Sequence, residues 1–220
     1  MEIKKELLKT NFTRGRNGKK PEIIVIHIAE GTKLGGVVPK NCDHLGTIQE
    51  FSAPWTQKSA HYLIDEIGEI LQLVEETDTA YHAGLKVRPT AKIILARPNE
   101  NPNSYSIGIE NVGYEGITEI QYKKTAELVA NICERWLIPI DRDHIIGHRE
   151  IRADKRCPGK IDIDRIVKEA NDILFPPPKD DNIEIEKLKE ENKSLRQLIS
   201  QLLDFIANYI NKLSNKLKGK

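Results

Sequence analysis

The sequence predicts an α/β fold, a central mixed β-sheet flanked by helices, followed by a separate C-terminal coiled-coil-type helix. Three observations carry this expectation. The run Ile23-Ile24-Val25-Ile26-His27-Ile28 is β-branched and apolar on both parities, the pattern of a strand buried on both faces within a sheet. Amphipathic helical stretches at 118–137 and 161–175 alternate with strand-like ones. Beyond a Pro-rich segment, apolar residues recur at spacings of three and four from Ile185 onward.

A chain of 220 residues can form one sizeable domain and an accessory piece. A net charge of +1 supplies no field toward nucleic acid or an anionic membrane, so neither is expected as a partner. No apolar run is long enough to span a bilayer. Residues 1–20 are polar and lack the apolar core of a secretory signal, so synthesis in the cytoplasm is expected. They end in Arg14-Gly15-Arg16-Asn17-Gly18-Lys19-Lys20 and read as a solvated arm. The three cysteines, Cys42, Cys133 and Cys157, are an odd number, which argues against a disulfide framework. Cys133 lies among Leu128, Val129, Ile132 and Trp136 on a helix and reads as a small buried hydrophobe. Cys42 has no assigned role.

The elements follow in order. After the strand ending at His27, residues 32–57 are rich in Gly, Pro and Asn around a short helix at 44–51. Residues 59–65 and 69–74 form two strands joined by a turn at Glu66-Ile67-Gly68, a hairpin. Residues 79–84 read as a loop and 86–103 as a long irregular excursion, with a short element at 92–96. The long loops at 32–57 and 86–103 are expected to line a cleft. Residues 104–112 are a strand carrying Glu110 near its end, and a carboxylate there needs a cation nearby. Thr118 opens a helix. His144 begins a short strand that runs into the loop 147–159, and a last helix follows at 161–175.

The domain boundaries expected are 1–175 for the main domain, 176–181 for a stiff Pro-rich linker and 182–217 for the C-terminal helix. In that helix Ile185, Asn192, Ile199, Ile206 and Leu213 fall at heptad position a, and Leu188, Leu195, Leu202 and Tyr209 at d. Ile at a with Leu at d favours a parallel two-stranded coil, and a buried Asn at a fixes register. A homo-oligomer, a dimer in the first place, is therefore expected. Leu198, Leu203 and Ile210 widen the apolar face, which offers a surface to more than two strands or to another partner.

The loop Gly147-His148-Arg149-Glu150-Ile151-Arg152-Ala153-Asp154-Lys155-Arg156-Cys157-Pro158-Gly159 sets a histidine and a cysteine close together. These are favoured zinc ligands, and a catalytic zinc keeps three protein ligands and one open position. His27, at the mouth of a central strand, completes a His-His-Cys set with His148 and Cys157, one zinc per chain. Glu110 suits a general base for water, and Lys155 suits a cation that stabilises an oxyanion.

These residues carry a resemblance. The segments Ile24-Val25-Ile26-His27, Ser59-Ala60-His61-Tyr62-Leu63-Ile64, Tyr81-His82-Ala83-Gly84, Ser106-Ile107-Gly108-Ile109-Glu110 and Gly147-His148-Arg149-Glu150 through Lys155-Arg156-Cys157-Pro158 occur in order over about residues 20–175. The chain resembles the type-2 N-acetylmuramoyl-L-alanine amidases, zinc enzymes related to the peptidoglycan-recognition proteins and T7 lysozyme. The resemblance implies that His27, His148 and Cys157 bind zinc and Glu110 is the base. It further implies that Lys155 polarises the scissile carbonyl and His82 contacts substrate. The implied substrate and partner is peptidoglycan, and the implied role is a phage or prophage endolysin that reaches the wall by a holin-type route. A bacterial autolysin of the same activity and a non-catalytic peptidoglycan-binding protein are the alternatives. One departure stands out. The T7-like branch has a tyrosine where this chain has Ala60. Tyr62, two residues on, shares its face by strand alternation, but the role is not carried over to it. His61 reads as a core histidine.

Overall fold

The computed structural model describes residues 1–29, 32–33, 36–37, 44–114, 116–177 and 181–218. Cys42 lies outside the described residues. The chain forms two compact units, Met1–Pro176 and Pro177–Lys220.

The first unit is built on ten strands. They are β1 (Lys4–Lys5), β2 (Phe12–Thr13), β3 (Ile23–Ala29), β4 (Thr32–Lys33), β5 (Gly36–Val37), β6 (Tyr62–Ile64), β7 (Ile70–Gln72), β8 (Thr79–Ala80), β9 (Ser106–Val112) and β10 (Ile145–Gly147). Six form one mixed sheet in the order β1-β7-β6-β9-β3-β10. The expected hairpin is β6 and β7, which pair antiparallel; every other pair in this sheet is parallel. Asp65 closes the hairpin turn by accepting from Ile67 N at 3.0 Å and Glu69 N at 2.7 Å.

The apolar run predicted as a central strand is β3, flanked by β9 and β10. Its even residues, Ile24, Ile26 and Ile28, pack with Ile107 and Ile109 against helices α3 (Glu119–Trp136) and α4 (Ile163–Leu174). Its odd residues, Ile23 and Val25, pack with Ala83, Ile94, Tyr105, Ile146 and Ile151 on the other face. That face also carries the short helix α2 (Lys92–Leu95), and α1 (His44–Ser52) sends Phe51 into a third cluster with Leu63 and Leu71. His27 follows Val25 onto this second face.

Helix α3 is tied to the strand end that carries Glu110. Thr118 and Gln121 form a capping box, and Gln121 Nε2 donates to Val112 O at 2.7 Å. Thr125 Oγ1 donates to Asn111 Oδ1 at 2.7 Å, and Asn111 Nδ2 donates in turn to His27 O at 3.3 Å. Cys133 is buried in the same packing, and burial, followed by the charge of Asp141, pushes its thiol up to about 12. It behaves as the apolar filler expected.

The first twenty residues are not a solvated arm. Strand β1 extends the main sheet beside β7, β2 pairs with β8, and Leu8 and Asn11 are buried. The pairing with β2 also makes Thr79–Ala80 a strand where a loop was expected. Arg16 explains the arm's attachment. Its buried guanidinium donates to Glu76 O at 2.5 Å, Ser106 O at 3.0 Å and Ser104 O at 3.3 Å. Burial pulls the group down to about 10, with Glu76 and Asp78 opposing, so it remains a cation at neutral pH. A charge run reads as solvated in sequence because nothing local announces carbonyls 60 to 90 residues away.

The second unit holds α5 (Asp181–Lys218), whose side chains are exposed wherever they are described. Among the described residues no helix is long and apolar enough to cross a membrane. Replacing Arg16 by Met should unpair three buried carbonyls and cost about 2–4 kcal/mol in urea unfolding followed by tryptophan fluorescence. A loss below about 0.5 kcal/mol would show that the guanidinium does not hold the arm.

Candidate metal centre

The register of two parallel strands begins the site. His27 on β3 lies directly opposite Glu110 on β9, so both side chains leave the same face. Strand β10 runs parallel on the other side of β3, with Gly147 beside Ile26, and His148 follows at once in a short 3-10 turn. Glu150 Oε2 accepts from Gly147 N at 2.7 Å and from Arg142 Nη2 at 3.0 Å, which fixes this turn. Gly147 is required for a steric reason: a Cβ there would stand 2.8 Å from Pro158 Cδ. That close approach, with Arg149 N donating to Cys157 O at 2.9 Å, returns Cys157 to His148.

One ligand atom from each of His27, His148 and Cys157 lies within 4.8 Å of the others. Cys157 Sγ is 3.6 Å from His27 Nδ1 and accepts from Ile28 N at 3.4 Å. The hydrogen bonds decide which imidazole nitrogens are free. His148 Nε2 lies 3.2 Å from Ala83 O, a pure acceptor, so Nε2 carries the hydrogen and Nδ1 the lone pair. The His27 side needs three steps. Ser106 Oγ donates to Pro102 O at 2.7 Å, so it accepts from His82 Nε2 at 3.0 Å. His82 Nδ1 therefore bears a lone pair and accepts from His27 Nε2 at 3.0 Å. His27 Nδ1 is left with a lone pair on the side of Cys157.

Electrostatics agree with this assignment. Burial first, then His148 and His82, holds His27 well below its usual range, and burial brings His148 down to about 4. Both rings are neutral at pH 7, as metal ligation requires. Two imidazole nitrogens and one sulfur, oriented by hydrogen bonds on the far ring nitrogens, match the donor set of a catalytic zinc with one position open.

Glu110 flanks this set, with Oε1 3.9 Å from His27 Nδ1. Its Oε2 is buried and has no hydrogen-bond partner among the described residues. Burial, then the like charge of Glu50, pushes the carboxyl up to about 8, with Lys58 opposing. A dication beside it would favour the carboxylate, because an opposite charge at this range stabilises the ionised form. Lys155 is exposed on the loop before Cys157, and its charge contributes to lowering His148. The structure brings it within electrostatic reach of the ligands and into no ion pair among the described residues.

His82 sits differently from the substrate contact expected of it. It is buried, with one ring nitrogen on His27 and the other on Ser106, which leaves no polar ring atom for a substrate. A Cβ on Gly108 would stand 2.5 Å from His82 Cγ, so glycine in this strand makes room for the ring. Asn103 Oδ1 accepts from His82 N at 3.2 Å and Ala83 N at 2.7 Å and so holds both neighbours of the metal ligands. Ser106 and Asn103 escaped sequence reasoning, since each was one polar residue in an ordinary strand or loop.

The remaining histidines are structural. His61 is buried, accepts from Gly108 N at 3.0 Å and lies against Arg16 at 2.8 Å. His144 Nδ1 is 2.7 Å from Asp141 Oδ1 at the start of β10. Tyr62 does not share the site's face. Leu63 is the residue in register with Glu110, and the Tyr62 hydroxyl donates to Glu76 at 2.9 Å among residues packed on α3. The alternation argument fails because the chain bends at His61, directly before the strand that begins at Tyr62. A second grouping, His44, Asp65 and Glu66, brings one atom from each within 4.8 Å, but Asp65 Oδ1 already serves the hairpin turn and Glu66 is exposed. A cleft with residues from both loop regions expected to form one (Pro54, Gln57, Asn101, Asn103) is lined also by Tyr81 and Gly84, but by none of the three ligand candidates.

Comparisons with known proteins converge on one family. The family model described as N-acetylmuramoyl-L-alanine amidase matches residues 17–160. A 1,6-anhydro-N-acetylmuramyl-L-alanine amidase, AmpD, of Haemophilus influenzae is 33% identical over 105 residues, which are 46% of this chain and about half (52%) of that relative's length. AmpD of Enterobacter cloacae is 28% identical over 149 residues, 63% of this chain and 73% of the relative. Among solved structures, a selenomethionine derivative of AmpD superposes with a TM-score of 0.57 at 23% identity, covering 76% of this chain and 94% of that one. The catalytic domain of XlyA gives 0.57 at 20%, covering 77% and 99%. These likenesses show a shared fold. With the match spanning the whole of the strand-end cluster up to Cys157, the chain belongs to the N-acetylmuramoyl-L-alanine amidase family.

Proposed function

We propose that this chain is a zinc-dependent amidase that hydrolyses the bond between N-acetylmuramic acid and L-alanine in bacterial peptidoglycan, acting as a phage or prophage endolysin. The observation that carries the reading is the convergence of two imidazole lone pairs and a sulfur beside a buried carboxyl oxygen with no partner among the described residues. Zinc held by His27, His148 and Cys157 would supply Lewis-acid chemistry, bringing the pKa of water toward ~7 and polarising a carbonyl.

The chain's own groups do the rest. Glu110 takes a proton from the attacking water as its oxygen bonds to the lactyl carbonyl carbon. Lys155 places positive charge near the oxyanion that develops there. Glu110 then returns the proton to the alanine nitrogen as the C–N bond breaks. The products are a muramyl carboxylate and a peptide with a free L-alanine amine. His82 and Ala83 O hold the two ligand imidazoles in the tautomer that presents Nδ1. Helix α5 stands apart from this chemistry and serves association of copies. Release to the wall by a holin-type route goes with the endolysin reading.

A second substrate reading has its own support. The sequence relatives at 28–33% identity are named for a 1,6-anhydro-muramyl substrate. Incubation with purified walls and, separately, with a 1,6-anhydro-muramyl peptide distinguishes them. The endolysin reading expects mass spectrometry to find free peptides beginning with L-alanine from walls. Cleavage of the soluble substrate alone would replace it.

Glu110→Ala should lower kcat by roughly 10²–10⁴ while zinc stays stoichiometric by atomic absorption; unchanged turnover would remove Glu110 as the base. His82→Phe keeps a planar aromatic ring, though a larger one, and loses the acceptor for His27 Nε2. Zinc affinity, measured by chelator competition, should fall about 10–100-fold. A variant that binds zinc normally yet loses substrate affinity would restore His82 to a substrate contact.

A further inference from the structure

Helix α5 carries an apolar seam that nothing in its own compact unit covers. Leu195, Leu198, Ile199, Leu202 and Leu203 are each more than half exposed, and Phe205 more so. A contiguous apolar stripe on a 38-residue helix marks an interaction surface. From its charges and heptads we infer that the occupant is a second copy of α5, parallel and in register, with Glu191 of each chain paired to Arg196 of the other.

The heptad arithmetic distinguishes this from other arrangements. With Ile185, Asn192, Ile199 and Ile206 at a, position g holds Glu191, Leu198 and Phe205, and position e holds Lys189, Arg196 and Leu203. In a parallel pair, each g residue meets the partner's e residue five positions on. Glu191 then meets Arg196, acid against base, and Leu198 meets Leu203, apolar against apolar. The same register stacks Asn192 on its twin, where the two amides satisfy each other. Antiparallel pairing at full overlap sets e against e. It leaves Arg196 facing Leu203 and moves the Asn192 amides apart, each opposite an apolar or aromatic ring position, so it loses on three counts.

The ion pairs already present in α5 point the same way. Lys189 pairs with Glu186 and Lys193 with Glu190, both at three-residue spacing within the helix. Glu191 and Arg196 have no such partner among the described residues. Five residues apart, they do not face each other on one helix, where only neighbours three and four apart meet. Any coupling between them must therefore run between chains. A parallel pair would also join two catalytic units at the same end of one coil, giving bivalent attachment to a polymeric substrate.

The test is sedimentation equilibrium of the full chain. The expected result is a species of twice the chain mass at micromolar concentration. Glu191→Arg and Arg196→Glu, made singly, should each weaken association on the order of tenfold, because two pairs per dimer turn repulsive. The double variant should return to within about twofold of the original, since the pair is reformed with its charges exchanged. A monomer at tens of micromolar would overturn the proposal and leave wall targeting as the use of the seam. A species larger than a dimer would overturn two strands. A double variant as weak as the singles would overturn the parallel register.

Discussion

Two backbone carbonyls, Pro102 O and Ala83 O, set the chemistry of this protein. Each ends a hydrogen-bond chain as an acceptor that cannot donate. From Ala83 O the constraint passes one step, to His148 Nε2. From Pro102 O it passes through Ser106 and His82 to His27 Nε2. In both cases the outcome is a neutral imidazole with its Nδ1 lone pair turned inward. The metal ion proposed for this site would meet two ligands already in the right tautomer and already deprotonated. The ordering cost lies in the fold and is not exacted when metal binds.

The fold supplies that constraint at several removes. Arg16 gathers the carbonyls of Ser104 and Ser106, Asn103 holds the amides of His82 and Ala83, and Gly108 leaves space for the His82 ring. The N-terminal residues, far from the site in sequence, are thus part of its support. On the opposite face α3 and α4 carry the hydrophobic packing and reach the site through Asn111 and Gln121 and through the packing of Cys157. Stability and chemistry are divided between the two sides of one sheet. The strand ends lie where parallel sheets commonly bind ligands.

What could be read in advance follows from the range of the interactions. The central strand, the hairpin, the two amphipathic helices and the Thr118 cap are legible because their signals are local: periodicity, a turn, a capping box. The His27, His148 and Cys157 set was legible because its residue types are scarce and chemically marked. The arm was misread, since the Arg16 partners lie at residues 76 and 103–106 and no local pattern encodes them. Tyr62 was misplaced because alternation assumes an unbroken pleat, and the chain bends at His61 before the strand begins at Tyr62. His82 matched a motif correctly, but a motif gives position and not the direction of a hydrogen bond. Ser106 lay in a matching segment but carried no role there; its hydroxyl's second bond, to Pro102, gives it meaning.

The groups proposed to be catalytic divide by the rigidity of what carries them. His27 and Glu110 sit in mid-sheet strands, in register with each other and backed by buried packing, so their separation is set by backbone pairing. Lys155 sits on an exposed loop, tethered by its amide to Arg152 O at 3.0 Å and otherwise in water. A ligand set and a base must be preorganised, since a small displacement removes the reaction geometry. A cation that answers charge appearing only in the transition state gains from remaining solvated until substrate excludes water, because interaction with the ground state alone would not raise kcat. In the proposed mechanism the loop that returns Cys157 to His27 and His148 therefore holds one residue fixed and leaves another, two positions earlier, in solvent to answer charge on the substrate.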